Sequence, residues 1–387
     1  MLNSSPVTEL TVPKELFVPR SQAPAWERTR RQALLGNARK LNRFGFSGIR
    51  QSTRCEAELR ERAFPSGAWE RGCLLFSLCV LCCLGVSTSA HAAKPPVTAV
   101  AFTPDGKAVV VGSQAGIAVR SWPGLKPVRV LKTELQNVHD LAFSPDGKWL
   151  LAAGGEPGET GAVEVFFWNG TKRQAARGGH DEVVYGVAWR SDSSGWVTAS
   201  LDRSLRVFDR ANAKPGRKIT GHSRGVKAVG ILPDGKTLVS GGNDNSLRVW
   251  SLKNGKLIRS FNNHTQPIHD LAVRPSKDKD ALPMVVTVSE DRSVRLWQPT
   301  IGRMVRFVRL DKAIPLAVRW TPDGSQIIIA CSDGHVRVID PDTVAIVRDT
   351  PAISGWAYSL DVHPNGREAV VGGADGAVRR VRLKATQ

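Results

Sequence analysis

Beyond residue 92 the chain holds a single cysteine, Cys331. Its body can form no internal disulfide, so a disulfide scaffold is excluded. The other five, Cys55, Cys73, Cys79, Cys82 and Cys83, lie ahead of that point. The CxxC among them has neither a following His for haem attachment nor a second cysteine pair for zinc. Methionine is also scarce, with no internal Met before Met284, and Tyr occurs twice against eleven Trp. No apolar run reaches the roughly 18 residues of an ordinary membrane helix. The longest spans residues 73–86. Acidic residues are outnumbered: the net charge is +19. Residues 1–92 carry 13 Lys/Arg against 7 Asp/Glu and residues 93–387 carry 41 against 28, so the excess is spread along the chain. Such a surface attracts anionic partners through long-range fields. No aromatic-studded basic stretch of the kind that stacks bases is present, however, and nucleic acid is not expected as a partner.

What is present divides at residue 92. Residues 71–92, RGCLLFSLCVLCCLGVSTSAHA, have a basic flank at Arg71, an apolar core over 73–86 and a small-x-small site at Ala90-His91-Ala92. These are the parts of a secretory signal in order, so export with a mature start near Ala93 is expected. The compartment would then be periplasmic or secreted, and cytoplasmic if the segment is not used. No stable membrane span would remain after processing. Ahead of it, residues 1–70 carry Pro6, Pro13, Pro19 and Pro24, then eight Lys/Arg and no acid over 28–55. With no sustained apolar period, this leader reads as disordered, as an Arg-rich transit segment, or as sequence upstream of the true start.

From Val97 the chain repeats. The segments VTAVAFTPDG (97), VHDLAFSPDG (138), VYGVAWRSDS (184), VKAVGILPDG (226), IHDLAVRPSK (268), PLAVRWTPDG (315) and AYSLDVHPNG (357) start 41, 46, 42, 42, 47 and 42 residues apart. Each opens with alternating apolar residues, turns at Pro-Asp-Gly or Pro-Asn-Gly in five of the seven, and continues as an apolar run such as KTLVSGG. Pro presets such a turn and Gly supplies its positive φ. A second turn (LDRS, NDNS, EDRS, SDGH, ADGA) leads into LRVF, LRVW, VRLW, VRVI and VRRV. A unit of this length holding several short strands predicts an all-β, seven-bladed propeller of four-stranded antiparallel blades. Unit 7 ends at RVRLKATQ without a fourth strand. Its blade is expected to keep three strands and an open edge, unless LTVPKELFV of residues 10–18 returns to fill it.

Within the repeat a His, a Ser or Thr, an Asp and a terminal aromatic recur in register. They are His180, Thr198, Asp202 and Phe208; His222, Ser240, Asp244 and Trp250; and His264, Thr287, Asp291 and Trp297. On these residues the chain from 97 to 387 resembles the WD-repeat β-propeller family. The resemblance implies that each set is a structural hydrogen-bond chain tying the loop before a blade to its inner turn. A nucleophilic catalyst needs no triplicate copies, so Ser240 and His222 are not read as catalytic. Loss of Asp244 or Asp291 is expected to cost about 1–3 kcal/mol, and changes at Ala374 or Ser332 to be silent. Units 1, 2, 6 and 7 lack most of the set and are expected to rely on apolar packing.

No cofactor motif stands out. GGEPGETG at 154–161 lacks the Lys and the strand-to-helix context of a phosphate loop. The expected function is non-catalytic binding of a protein or peptide by a monomeric ring. The resemblance implies a binding face built by the residue after the first apolar position of each unit: Thr98, His139, Tyr185, Lys227, His269, Leu316 and Tyr358. The alternative is an exported propeller enzyme or a redox or metal-binding module. Its only candidate ligands are the two HDLA copies, His139-Asp140 and His269-Asp270, too few for a persuasive site.

Overall fold

In a computed structural model, which describes residues 94–169, 173–211, 215–276 and 281–383, the described chain contains strands and turns but no helix. The leader of residues 1–70, its segment 10–18 and the signal-like segment 71–92 lie outside the described residues. Seven antiparallel sheets follow one another, six of four strands and the last of three. The innermost strands are Val97–Phe102, Val138–Phe143, Val184–Trp189, Val226–Ile231, Ile268–Val273, Pro315–Trp320 and Ala357–Val362. Each begins where a repeat begins. The sheets are the blades of a seven-bladed propeller.

Turn chemistry sets each blade's first corner. The glycines of the five Pro-Asp-Gly and Pro-Asn-Gly turns, Gly106, Gly147, Gly235, Gly324 and Gly366, all sit at φ between 62° and 69°. Glycine enters this region without the Cβ clash that other residues meet. Blade 3 has no Gly there, and Ser193 takes the same conformation at φ 57°.

Apolar alternation then packs blade against blade. Val197, Leu205 and Ile219 of blade 3 share a buried cluster with Val229, Leu238 and Trp250 of blade 4. The same interleaving closes the ring, where Val97, Val100 and Val109 of blade 1 bury against Val370 of blade 7. At that seam the Phe102 amide donates to Asp361 Oδ2 at 2.7 Å. In blade 7 the outer strand Val378–Arg382 pairs only inward, with Glu368–Gly373. Its outer edge meets no strand among the described residues.

Two blades without the His set do not rely on apolar packing alone. In blade 6 the buried Arg337 donates to Asp333 Oδ2 at 2.6 Å and to Asp349 Oδ2 at 3.0 Å. A guanidinium there bridges the inner turn to the outer strand, whereas in blades 3 to 5 the imidazole joins the turn aspartate to a hydroxyl on the second strand. In blade 2 the buried Glu164 accepts the Glu134 amide at 2.9 Å. Buried polar groups need partners, and these blades supply them with other residues.

Candidate functional site

The three sets predicted from the repeat assemble side by side in consecutive blades. In blade 4 the Trp250 indole N–H donates to Ser240 Oγ at 2.8 Å, Ser240 Oγ lies 2.7 Å from His222 Nε2, and His222 Nδ1 lies 2.9 Å from Asp244 Oδ2. Blade 5 repeats the chain through Trp297, Thr287, His264 and Asp291, each step at 2.8 Å. Blade 3 has Thr198 at 2.6 Å and Asp202 at 2.8 Å from His180, but Phe208 offers no N–H. The order hydroxyl, imidazole, carboxylate is that of a nucleophilic triad. Burial opposes that use, because Ser240, Thr287 and Thr198 are each 0% exposed and no substrate atom can reach them.

Electrostatics fix the direction of each chain. Burial works against ionisation of Asp202, Asp244 and Asp291. The histidine and the serine two residues on (Ser204, Ser246, Ser293) outweigh it and hold each carboxyl below its usual range. The carboxylate therefore accepts from the Nδ1–H and leaves Nε2 to accept from the hydroxyl. Burial also keeps His264 below its ordinary value, with Asp291 offsetting only part. Ser332 is no bystander either: its hydroxyl accepts the Ile314 amide at 2.9 Å, so its removal is expected to leave that amide without this partner.

The second predicted group lies on the other side of the fold's logic, at the ring's centre. Every innermost strand carries a β-bulge at its second residue. Pairing runs from Val97 to Ala99, Val138 to Asp140, Val226 to Ala228, Ile268 to Asp270, Pro315 to Ala317 and Ala357 to Ser359, while Gly186 and Val184 pair on either side of Tyr185. The skipped residues are Thr98, His139, Tyr185, Lys227, His269, Leu316 and Tyr358. A bulge re-aims its side chain out of the ladder, and all seven line one central cavity of about 680 Å³. These are the positions that the family resemblance implies for the binding face.

Four of them form a continuous arc. The His139 and Tyr185 rings stack at 4.3 Å, Lys227 Nζ lies 6.0 Å from the centre of the Tyr185 ring, and His269 Nδ1 lies 3.2 Å from Lys227 Nζ. Elsewhere on the rim the exposed Trp356 and Tyr358 meet at 6.0 Å. His139 and His269 thus turn toward different neighbours. Among the described residues no group of three or more His, Cys, Asp or Glu is placed to hold a metal ion.

Sequence reasoning missed what the aspartates beside those histidines do. Asp140 accepts the Val187 amide at 2.9 Å and Asp270 the Val318 amide at 3.0 Å, each on the next blade. Together with Asp361 at the seam they are staples between neighbouring blades. Arg319, 2.7 Å from Asp270, also feels Asp140 and Asp361. Burial nonetheless pushes Asp140 up to about 6 and raises Asp361. The available signal was a carboxylate in the middle of an apolar strand, in HDLA twice and SLDV once.

The family described as WD40, "WD domain, G-beta repeat", matches residues 82–118, 125–158, 172–209, 213–251, 255–298 and 311–340, together more than half of the chain. The last unit, from Ala357, lies beyond these stretches, and its three-stranded sheet shows it to be a blade. Shorter stretches are similar to curated proteins. One is 30% identical over 121 residues to Protein HIR1 of Eremothecium gossypii, covering 26% of this chain and 14% of that protein. Another is 31% identical over 118 residues to an uncharacterized WD repeat-containing protein of Synechocystis, covering 30% and 32%. A third is 23% identical over 144 residues to polyadenylation factor subunit 2 of Cryptococcus neoformans, covering 37% and 19%. The chain thus spans less than a third of the length of each of these relatives.

Proposed function

The chain belongs to the WD40 repeat family, and on that premise we propose that it is a non-catalytic recognition scaffold that seats a protein or peptide on its central cavity. One observation carries the reading: seven bulges in seven innermost strands each deliver one side chain to the same opening. A bulge sacrifices a ladder position, and seven in register build a surface rather than a core. Its volume is that of a site able to take a few side chains of a partner, and its Tyr and Trp are residues enriched where interfaces concentrate their energy. The hydroxyl groups with a triad's atom order are buried, which favours recognition over catalysis.

Panning a random dodecapeptide library on the full chain tests the reading. Selected peptides should lose at least tenfold in affinity when His139, Tyr185 and Tyr358 are together replaced by Ala, with the melting temperature little changed. Peptides that bind the triple variant undiminished would place recognition elsewhere on the ring.

Export is a separate proposal, resting on residues 71–92 alone. N-terminal sequencing of the native protein should read a start near Ala93. An intact start ahead of residue 70 would end the export reading.

A further inference from the structure

Several of the charged groups buried in this ring are matched by partners, and among the described residues Lys227 in the cavity has no ion pair. Arg337 has Asp333 and Asp349, Arg319 has Asp270, and each turn aspartate of blades 3 to 5 has its histidine. Lys227, half-buried on the bulge of blade 4, is held differently. Among the described residues its one hydrogen bond runs to His269 Nδ1, at 3.2 Å. An ammonium has donors only, so that nitrogen must accept and His269 must be neutral. Glu290 acts on Lys227 without forming an ion pair with it. Burial lowers Lys227 and, with Lys227 beside it, pulls His269 down to about 4. The lysine therefore has a desolvated charge, two remaining N–H donors and no anion.

A second group in the same arc is unsatisfied. His139 Nε2 is buried and meets no partner, although its ring is stacked on the Tyr185 face that Lys227 also approaches. Two polar groups left unmatched at the edge of one cavity are what a site awaiting its ligand shows. The two carboxylates that line the cavity, Asp140 and Asp270, do not fill this role. Each is committed to the amide of the next blade and lies within the field of Arg319. The chain's net charge of +19 gives an acidic partner a favourable approach.

Resting on the reading of the cavity as the recognition face, we propose that its anchor is an acidic side chain of a peptide partner, held by Lys227 and His269 against the Tyr185 ring. The carboxylate accepts the free N–H donors of Lys227 in charge-assisted hydrogen bonds, the stronger class. The Trp356 and Tyr358 pair elsewhere on the rim takes apolar residues of the same peptide. Phosphate groups and free C-termini offer related chemistry, and the experiment separates them.

The probe is a positional-scanning hexapeptide library blocked at both ends and free of phosphate, measured against the full chain. One position should prefer Asp or Glu over Asn or Gln by at least tenfold, and raised salt should shrink that preference. Lys227→Met should abolish the preference while the blocked peptides keep residual affinity, and Lys227→Arg should retain it. Melting of both variants is followed in parallel, since a folding defect would weaken all peptides alike rather than one preference. Binding that maps to the cavity without any acidic preference, or a preference untouched by Lys227→Met, overturns the anchor and leaves the recognition face standing. A requirement for a free C-terminus or a phosphate also overturns it. Failure of every peptide to respond to substitutions around the cavity removes the recognition face itself, and the anchor with it.

Discussion

Replacing Asp291 by Ala is expected to cost about 3–5 kcal/mol, more than the roughly 1–3 kcal/mol expected from the sequence, seen as a fall in the urea midpoint, because one buried carboxylate serves several donors at once. It accepts from His264 Nδ1 at 2.8 Å, from the Thr265 amide at 3.2 Å and from the Ser293 amide at 2.9 Å, besides the Ser293 hydroxyl. His264 and Ser293 are themselves buried, so their orphaned groups find little water. The internal control is Asp375, at the same place in blade 7, which accepts the Ala377 amide at 2.9 Å and the Ser354 amide at 3.4 Å and otherwise has only an exposed ion pair with Arg379 at 3.8 Å among the described residues. Asp375→Ala should cost less than about 1 kcal/mol. Acid should act in the same sense as the substitution. Asp291, held below its ordinary value of 3.8, stabilises the fold fully above that pH and loses the contribution as pH falls below it. His264, also held low, adds a loss below about 6.5, where the unfolded chain takes its proton first. Asp140 opposes both: its carboxyl sits at about 6, so the folded state gains as pH falls through that value. In urea midpoints below pH 3.8 the loss due to the Asp291 carboxylate should therefore be absent from Asp291→Ala. Between pH 6.5 and 3.8, by contrast, the variant, whose His264 no longer has Asp291 to support its charged form, should lose stability at least as steeply as the wild type.

Trp297→Ala should cost about 3–5 kcal/mol through the cavity it opens and the indole bond it removes. Trp297 is 0% exposed, packs its ring 5.1 Å from Phe261 and donates to Thr287. Trp297→Phe should cost only about 1–2 kcal/mol, because blade 3 already shows the outcome. There Phe208 occupies the equivalent position and stacks on the paired Trp196 at 5.4 Å, with the rings 7° from parallel. A Phe variant as damaging as the Ala variant would mean that the hydrogen bond, rather than the ring volume, holds the blade.

Legibility in the sequence followed repetition. The seven innermost strands begin at the seven repeat starts because one turn and one alternation recur in each unit, and local chemistry decides both. The His, hydroxyl, Asp and Trp sets could be read for the same reason. Arg337, Glu164 and the staples Asp140, Asp270 and Asp361 could not. Each depends on what the neighbouring strand or blade brings within reach, such as the Val187 amide 47 residues beyond Asp140. Asp140 and Asp270 were instead weighed as metal ligands, a role their commitment to backbone amides leaves little room for. The binding-face positions were named from the family resemblance. Their physical cause, a bulge in every innermost strand, has no residue signature of its own and shows only in the pairing register.

The central claim separates two kinds of residue: sets that hold blades together, and bulged side chains that meet a partner. It is tested most directly by measuring melting and the affinity of one selected peptide on the same two proteins. Asp291→Ala should melt earlier and, below its melting range, bind the peptide as the wild type does. The His139, Tyr185 and Tyr358 triple variant should melt as the wild type does and bind at least tenfold more weakly. Loss of binding in Asp291→Ala at unchanged melting, with the triple variant binding normally, would contradict the account by placing recognition on the residues assigned here to structure.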